Sequence, residues 1–427
     1  MTRPTVLDVF AGVGGLGLGF EQAGFDVVAA IEIDPVHAAT HAFNFPECPT
    51  LCADATEISG TDIRCGLSAP IDVIVGGAPC QGFSMIGKRA LDDPRNQLIK
   101  HFLRLVVELK PSVFVLENVR GLTVGKHRQL LDELTAEFQV AGYSVTLPWQ
   151  VLNARHFGVP QDRQRLFLLG AKGGSILRYP MPQILAPPTT CREALQDLPD
   201  AEDFDELVSS DTVCVSGPLS DLSAYAREMR CLSNDAWHFG YVREWDPQLF
   251  TASLRTAHTD ISRRRFHKTR PDAVEPISRF YKLAANGVSN TLRAGTDAAR
   301  GAFTSPRPIH YRYDRCVTVR EMARLHGFPD WFRFHVTKWH GARQIGNSVP
   351  PPLARAVAAS VLESLGVEPS RPTGSIPLGP TNLLSMDMTE AAAHWSVEVP
   401  IAKRDRKSGA TKRKQEDVER DLARATA

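Results

Sequence analysis

Five short apolar runs, Val6–Phe10, Val27–Ile31, Ile71–Val75, Ser112–Leu116 and Arg165–Leu169, fall within the first 170 residues, with amphipathic stretches between them. The last four lack an alternation of polar and apolar positions. A strand is apolar on both faces only where both faces are covered, as in parallel strands flanked by helices. Between two of the runs, Leu98, Phe102, Leu105, Val106 and Leu109 recur at helical spacing, and Pro111 supplies a stop. The pattern predicts a doubly wound α/β sheet.

A chain of 427 residues has room for a large domain and a smaller one. Near residue 175 the texture changes: Pro180, Pro182, Pro187 and Pro188 interrupt regular structure and a long irregular region follows. Residues 192–246 carry 13 acidic and 4 basic side chains, whereas residues 254–315 carry 13 basic and 5 acidic ones. Either the basic half addresses a polyanion, or the two halves face each other. Order returns at "TVREMARLHGFPDWF", where Thr318 and Glu321 fit a capping box, Gly327 a C-terminal cap, and Pro329 a stop. A final apolar helix is expected over Pro352 to Leu365. The divisions that result are 1–175, 176–315, a return segment 316–366, and 367–427 as a linker and charged, flexible tail. No run approaches the roughly 18 apolar residues of a membrane span, and the N-terminus enters a strand without a signal-peptide pattern. A cytoplasmic protein is expected.

"GGAPCQGFSMIGKR" follows directly on the third apolar run. It places Cys80 between proline and glutamine, at the carboxyl end of a strand, where open α/β sheets build their sites. The eight cysteines are scattered, none forms a Cys-x-x-Cys pair, and no Cys/His cluster has convincing zinc-ligand spacing. No metal is expected. For Cys80 two readings remain, a small buried hydrophobe or a nucleophile.

In "LDVFAGVGGLGLGF", Gly12, Gly14 and Gly15 lie between a strand and a helix, the place of a turn that lets a ligand approach the backbone. Glu32 ends the second strand, where a carboxylate can accept from ribose hydroxyls; Asp54 stands near the end of a plausible third strand and could meet an adenine edge. Dehydrogenases, flavoproteins and methyltransferases all use such a turn. The discriminating residues are downstream: "FVLENV" puts Glu117 at a strand end, and "QDRQR" puts Arg163 and Arg165 on one face of an extended segment.

A thiolate, a carboxyl group and two guanidiniums suit one problem. Carbon 5 of cytosine accepts a methyl group only after a nucleophile adds to carbon 6 and makes an enamine. A protonated Glu117 would stabilise charge developing at N3, and an arginine would orient the base through O2 and help keep the thiol ionised.

"DVFAGVGGLGLGF", "GGAPCQGFS", "ENV", "QDRQR", "TVREMARLHGFPD" and "QIGNSVPP" occur in the order and character of the DNA (cytosine-5) methyltransferases, and residues 4 to 360 resemble that family. The resemblance implies an S-adenosyl-L-methionine-dependent, Rossmann-like catalytic domain with a smaller, irregular target-recognition domain at 176–315. It implies Cys80 as nucleophile, Glu117 at N3, and Arg163 and Arg165 as the paired arginines, Arg165 being favoured for the base. Phe10, Gly12, Gly14, Leu16, Glu32, Asp54 and Pro79, with Asn347, Ser348 and Val349 of the late segment, match the cofactor contacts. Arg320 and Glu321 match a motif that organises the recognition region and read as structural. Because the target base must leave the duplex, the stretch from Gln81 to Gln97 is expected to close over it, with Ser84, Lys88 and Arg89 near DNA. Arg263, Arg264, Arg265, Thr291 and Arg293 are expected to touch DNA from the recognition region.

The expected partner is double-stranded DNA, without a membrane, for a monomer that shares its site with a restriction endonuclease but forms no stable complex with it. A tRNA cytosine-5 methyltransferase is the alternative; such enzymes resemble the family with a much smaller recognition insert. A dehydrogenase would have no use for Cys80 and Glu117, and an idle DNA-binding relative should have lost one of them.

Overall fold

The computed structural model describes residues 3–67, 69–78, 96–124, 128–184, 187–215, 222–295 and 306–399. Strand β1 (Thr5–Val9) is buried throughout and lies in the interior of the main sheet. Helix α1 (Gly15–Ala23), β2 (Asp26–Glu32), α2 (Pro35–Asn44), β3 (Thr50–Cys52), α3 (Gly60–Cys65), β4 (Val73–Gly77), α4 (Gln97–Leu109) and β5 (Val113–Val119) follow as alternating units. Next come α5 (Arg128–Val140), β6 (Tyr143–Val145), β7 (Gln150–Asn153) and β8 (Gln164–Lys172). Among the described residues the sheet runs β3-β2-β1-β4-β5-β8-β6, with β7 also on β8.

Helices cover both faces. On one side Ile63, Phe102, Val106, Leu131 and Phe138 from α3, α4 and α5 bury against Leu7, Ile74 and Phe114. On the other, Leu16 and Phe20 of α1 and Leu353, Ala354 and Val357 of α11 (Pro351–Ser364) bury against Val6, Val75 and Phe167. Each fully buried side chain of this kind stabilises the fold by roughly 1.5–3 kcal/mol. The covered sheet accounts for the unalternating runs.

One expectation is corrected. The run 165–169 belongs to β8, which is antiparallel to both β5 and β6. Its apolar character came from burial on both faces, and burial is blind to strand direction. Residues 154–163, which join β7 to β8, are also too few for a helical crossover.

The irregular region contains α6 (Cys191–Leu195), β9 (Val213–Cys214), α7 (Ala224–Met229), β10 (Val242–Glu244), β11 (Leu249–Phe250) and α8 (Asp260–Lys268). Helix α9 (Val319–His326) starts with the Thr318–Glu321 capping box and ends at Gly327, φ 86°; α10 (Lys338–Asn347) precedes α11. The segment expected as a linker instead forms β12 (Ser375–Pro377), a 3-10 turn Thr381–Leu384 and α12 (Met388–Trp395). Residues 400–427 lie outside the described residues.

Candidate active site

Parallel register sets Gly77, the last residue of β4, opposite Glu117 of β5. A Cβ on Gly77 would fall 2.8 Å from Glu117 Oε2, so the carboxyl group lies directly over the end of β4. Asn118 Nδ2 donates to Ala78 O at 3.1 Å and pins the chain one residue further on. Pro79, Cys80, Ser84, Lys88 and Arg89 lie outside the described residues; the chain leads into them from this pinned point, three residues from Gly77 to Cys80.

Arg165 Nε meets Glu117 Oε1 at 2.8 Å. Burial pushes the Glu117 carboxyl above the usual carboxylate range, and the pull of Arg165 and Arg163 offsets only part of that. The site therefore holds a carboxyl group biased toward its proton, beside a guanidinium.

Arg163 has a different place. Its side chain is fully buried, Nη1 donates to Leu292 O at 2.9 Å, and Nη2 donates to Gly346 O and Ser348 O, each at 2.8 Å. The end of α10 explains this need. Ser348 N donates to Ile345 O at 3.1 Å, but the residues four beyond Gly346 and Ser348, Pro350 and Pro352, carry no N–H. Arg163 takes over that function, joined by His326, whose Nε2 lies 3.0 Å from Ser348 O. Gln161 completes the node: its Nε2 lies 3.0 Å from His326 Nδ1, and its Oε1 accepts from Leu292 N at 3.0 Å. Gln161 and Asn118 escaped the sequence reading although each sits inside a motif it used.

Around the glycine turn, Gly12 and Gly14 take the left-handed φ values of 58° and 95°. Phe10 is also left-handed, at φ 62°, a costly backbone for an aromatic residue and a mark of a constrained turn. Among the described residues the space above Gly12 is open, since a Cβ there would meet none of their atoms within 4 Å. Glu32 faces this turn: its Oε2 accepts from Gly12 N at 2.8 Å and its Oε1 from Asp34 N at 2.9 Å. Burial raises its pKa as well. Asp54 lies two residues past Cys52, which pairs with Glu32, so both acids stand at one end of the sheet; its Oδ1 accepts from Thr56 N. The late segment returns against the start of α1, where a Cβ on Gly15 would fall 2.5 Å from Val349 O. Ser348 and Val349 are buried there and Asn347 is exposed. Leu16 is buried in the core, so only its backbone is available at the turn. Asp8, another residue the sequence reading passed over, accepts from Gly17 N at 3.0 Å, and burial pushes its carboxyl up to about 8.

Three ion pairs join the two charged halves of the irregular region. Arg263 pairs with Glu202, Arg315 with Asp200 at 3.0 Å, and Arg255 with Asp205 at 3.5 Å. Arg265 is half-buried, 3.5 Å from Glu275, and the Thr291 hydroxyl donates to Asp162 O at 2.6 Å. Of the residues expected on DNA here, Arg264 and Arg293 are exposed. Glu321 is held by Arg315 at 2.9 Å, and Arg320 is buried against Thr251 and Phe332, so both are structural as expected.

The model of the C-5 cytosine-specific DNA methylase family matches residues 4–363. The type II methyltransferase M.XorII of Xanthomonas oryzae pv. oryzae is 55% identical over 412 residues, 95% of this chain and 96% of its own. M1.HphI of Haemophilus parahaemolyticus is 32% identical over 366 residues, 84% of this chain and 87% of its own. Among solved structures, a DNA modification methyltransferase encoded within an E. coli prophage superposes with a TM-score of 0.69 at 32% identity, covering 85% of this chain and 99% of that one. The S. pombe Dnmt2 methyltransferase, 18% identical with a TM-score of 0.52 over 85% of this chain and 99% of its own, shares the fold.

Proposed function

The chain belongs to the C-5 cytosine-specific DNA methylase family and is a DNA cytosine-5 methyltransferase; from that premise we propose its methyl donor, its residue roles and its biological setting. The donor is S-adenosyl-L-methionine, which supplies a methyl group activated on a sulfonium. The residues fit it: an open cradle over Gly12, a buried acid at Glu32 for the ribose, Asp54 for the adenine edge, and the 347–349 return against α1. Phe10, Gly14, Leu16 through its backbone, and Pro79 complete the set.

The reaction follows from the chain's own groups. Cys80 thiolate adds to C6 of a cytosine turned out of the duplex, while the Glu117 carboxyl shares its proton with N3 and Arg165 holds O2. Electron density moves to C5, which would take the methyl group as the methyl–sulfonium bond breaks and S-adenosylhomocysteine is left behind. Loss of the C5 proton to a base and departure of the sulfur from C6 restore the aromatic ring and the thiolate. Arg163 acts as a positioning residue, because its donors are engaged by three carbonyls. Residues 1–175 and 316–366 make the catalytic domain, a division supported by α11 packing on α1. Residues 176–315 read the target, with Ser84, Lys88 and Arg89 closing over the base.

The relatives' type II names support a restriction-modification setting, with a monomeric enzyme and a separate endonuclease for the same site. Among the described residues no helix is long and apolar enough to cross a membrane; the setting proposed here is cytoplasmic. The tRNA alternative is not favoured: the relatives matched over most of the chain are type II methyltransferases.

The observation that carries the roles is the Glu117–Arg165 pair set over Gly77, three residues ahead of Cys80. Single-base mapping of 5-methylcytosine on plasmid DNA from expressing cells tests it. Wild type marks one cytosine per site and Cys80→Ser marks none while still binding S-adenosylhomocysteine. Persistent methylation in Cys80→Ser would overturn the assignment.

A further inference from the structure

Residues 364–399 lie beyond the family match, yet they are fastened to both working halves of the molecule. Arg3 Nη1 donates to Ser370 O, and Arg371 pairs with Asp235, each at 2.6 Å. β12 runs parallel to β10, with Ile376 opposite Arg243. Gly379 N then donates to Phe43 O at 2.8 Å near the end of α2, and Leu383 and Leu384 bury against Ala39 and Phe43 of that helix. Val336 N donates to Leu384 O at 3.0 Å. His335 Nδ1 accepts from Thr337 N at 3.1 Å, which leaves its Nε2–H for Met386 O, also at 3.1 Å. Helix α12, begun by an Asp387–Glu390 capping box, buries Ala391 and Ala392. It ends with the Trp395 indole N–H donating to Pro35 O at 3.2 Å.

Pro35 is the first residue of α2, and Asp34 is its N-cap. The Asp34 N–H is one of the two that hold the Glu32 carboxylate; the other comes from the glycine turn. A contact on the Pro35 carbonyl is therefore one residue along the chain from a cofactor-pocket hydrogen bond.

We infer that residues 367–399 form a positioning strap for the cofactor pocket, with Trp395 as its latch. The strap holds the start of α2 from behind, and through Asp34 keeps Glu32 aimed at the ribose. Its β12 edge ties the same helix to the 235–244 part of the recognition region. The inference rests on the proposed role of Glu32.

Calorimetric titration of S-adenosylhomocysteine into four full-length proteins tests it: wild type, Trp395→Phe, Glu32→Ala and the double variant. A chain ending at Gly366 makes a fifth. Trp395→Phe keeps the packing and loses one hydrogen bond, so its Kd should rise about 3-fold, and that of the shortened chain about 10-fold or more. Turnover at saturating cofactor should stay within about 2-fold for Trp395→Phe. In the Glu32→Ala background the Trp395 change should add nothing, because the latch acts through that carboxylate. An unchanged Kd for folded Trp395→Phe, or a full additional loss in the double variant, would overturn the strap. Unweakened binding by Glu32→Ala would overturn the role of Glu32 itself, and the strap inference with it. If the shortened chain does not fold, the point variants still decide.

Discussion

Replacing Arg163 by methionine separates a residue that holds the site together from one that touches the base. Methionine nearly matches the aliphatic length and fills the space, but it donates nothing. Ser348 O keeps His326 Nε2 as a neighbour at 3.0 Å. Gly346 O and Leu292 O lose the donors they have at 2.8 and 2.9 Å, and Pro350 has no N–H to offer in exchange. A buried acceptor deprived of its donor costs about 1–3 kcal/mol, so the pair costs about 4 kcal/mol. Removing a buried guanidinium, whose nearest carboxylate already serves Arg165, returns roughly 1–2 kcal/mol of desolvation. The net loss is about 2–3 kcal/mol, equivalent to a fall in Tm of about 5–10 °C at roughly 2–4 °C per kcal/mol for a domain of this size.

Thermal unfolding followed by calorimetry reads that shift directly. Because Gly346 and Ser348 flank the cofactor return, KM for the donor should rise while kcat at saturation falls less than about 10-fold. Arg163→Lys, whose single ammonium can reach some but not all of the three carbonyls, should lie between. A variant melting within about 1 °C of wild type, with kcat reduced 100-fold or more, would refute the reasoning: the guanidinium would then belong to the chemistry.

Glu117→Gln should lower kcat by about 10²–10⁴-fold and alter the pH profile. Burial raises the folded pKa of Glu117, so the protonated acid persists above the ordinary carboxylate range and activity that needs it is lost as pH rises through that raised value. Gln cannot titrate, so an alkaline limb that survives in pH–kcat profiles of the variant belongs to another group. On DNA, fluorescence anisotropy across a salt series should show Arg264→Ala and Arg293→Ala each lowering the slope of log K against log[salt] by about 0.9. Arg263→Ala should leave the slope unchanged because Glu202 already holds its charge, and an equal drop there would place that guanidinium on phosphate.

What a sequence can announce depends on whether the cause of a feature is local. The capping box at Thr318, the stop after Leu109 and the glycine turn at 12–14 are set by residues within one helical turn, and all three stand where the pattern placed them. The direction of β8 is not local: an apolar run records that two faces are covered, not which way its neighbour runs. Charge fails for a related reason. The opposed acidic and basic segments were a true feature, but composition does not say whether a guanidinium at 263 will find a phosphate or a carboxylate at 202. Residues 367–399 looked like a linker because they bury so little, chiefly Ile376, Leu383, Leu384, Ala391 and Ala392, and hold their place through hydrogen bonds to distant backbone.

Arg163 shows where that boundary can be moved. Its pairing with Arg165 suggested shared chemistry, yet the reason for its burial was written elsewhere, in "NSVPPP". Ser348 N still donates to Ile345 O at 3.1 Å, but the prolines at 350 and 352 offer no N–H to the carbonyls of Gly346 and Ser348, and these buried acceptors find their donors in side chains. A proline run after a helix near a ligand pocket therefore calls for a distant arginine, histidine or glutamine. Here all three arrive, with Arg163 and His326 on the carbonyls and Gln161 behind them. The same three side chains hold Leu292 of the recognition region and the 346–348 return in one node, so a change in either segment is felt at the loop leading into Arg165. The chemistry proposed at Glu117 would thus rest on a joint whose side-chain donors stand in for those that Pro350 and Pro352 lack.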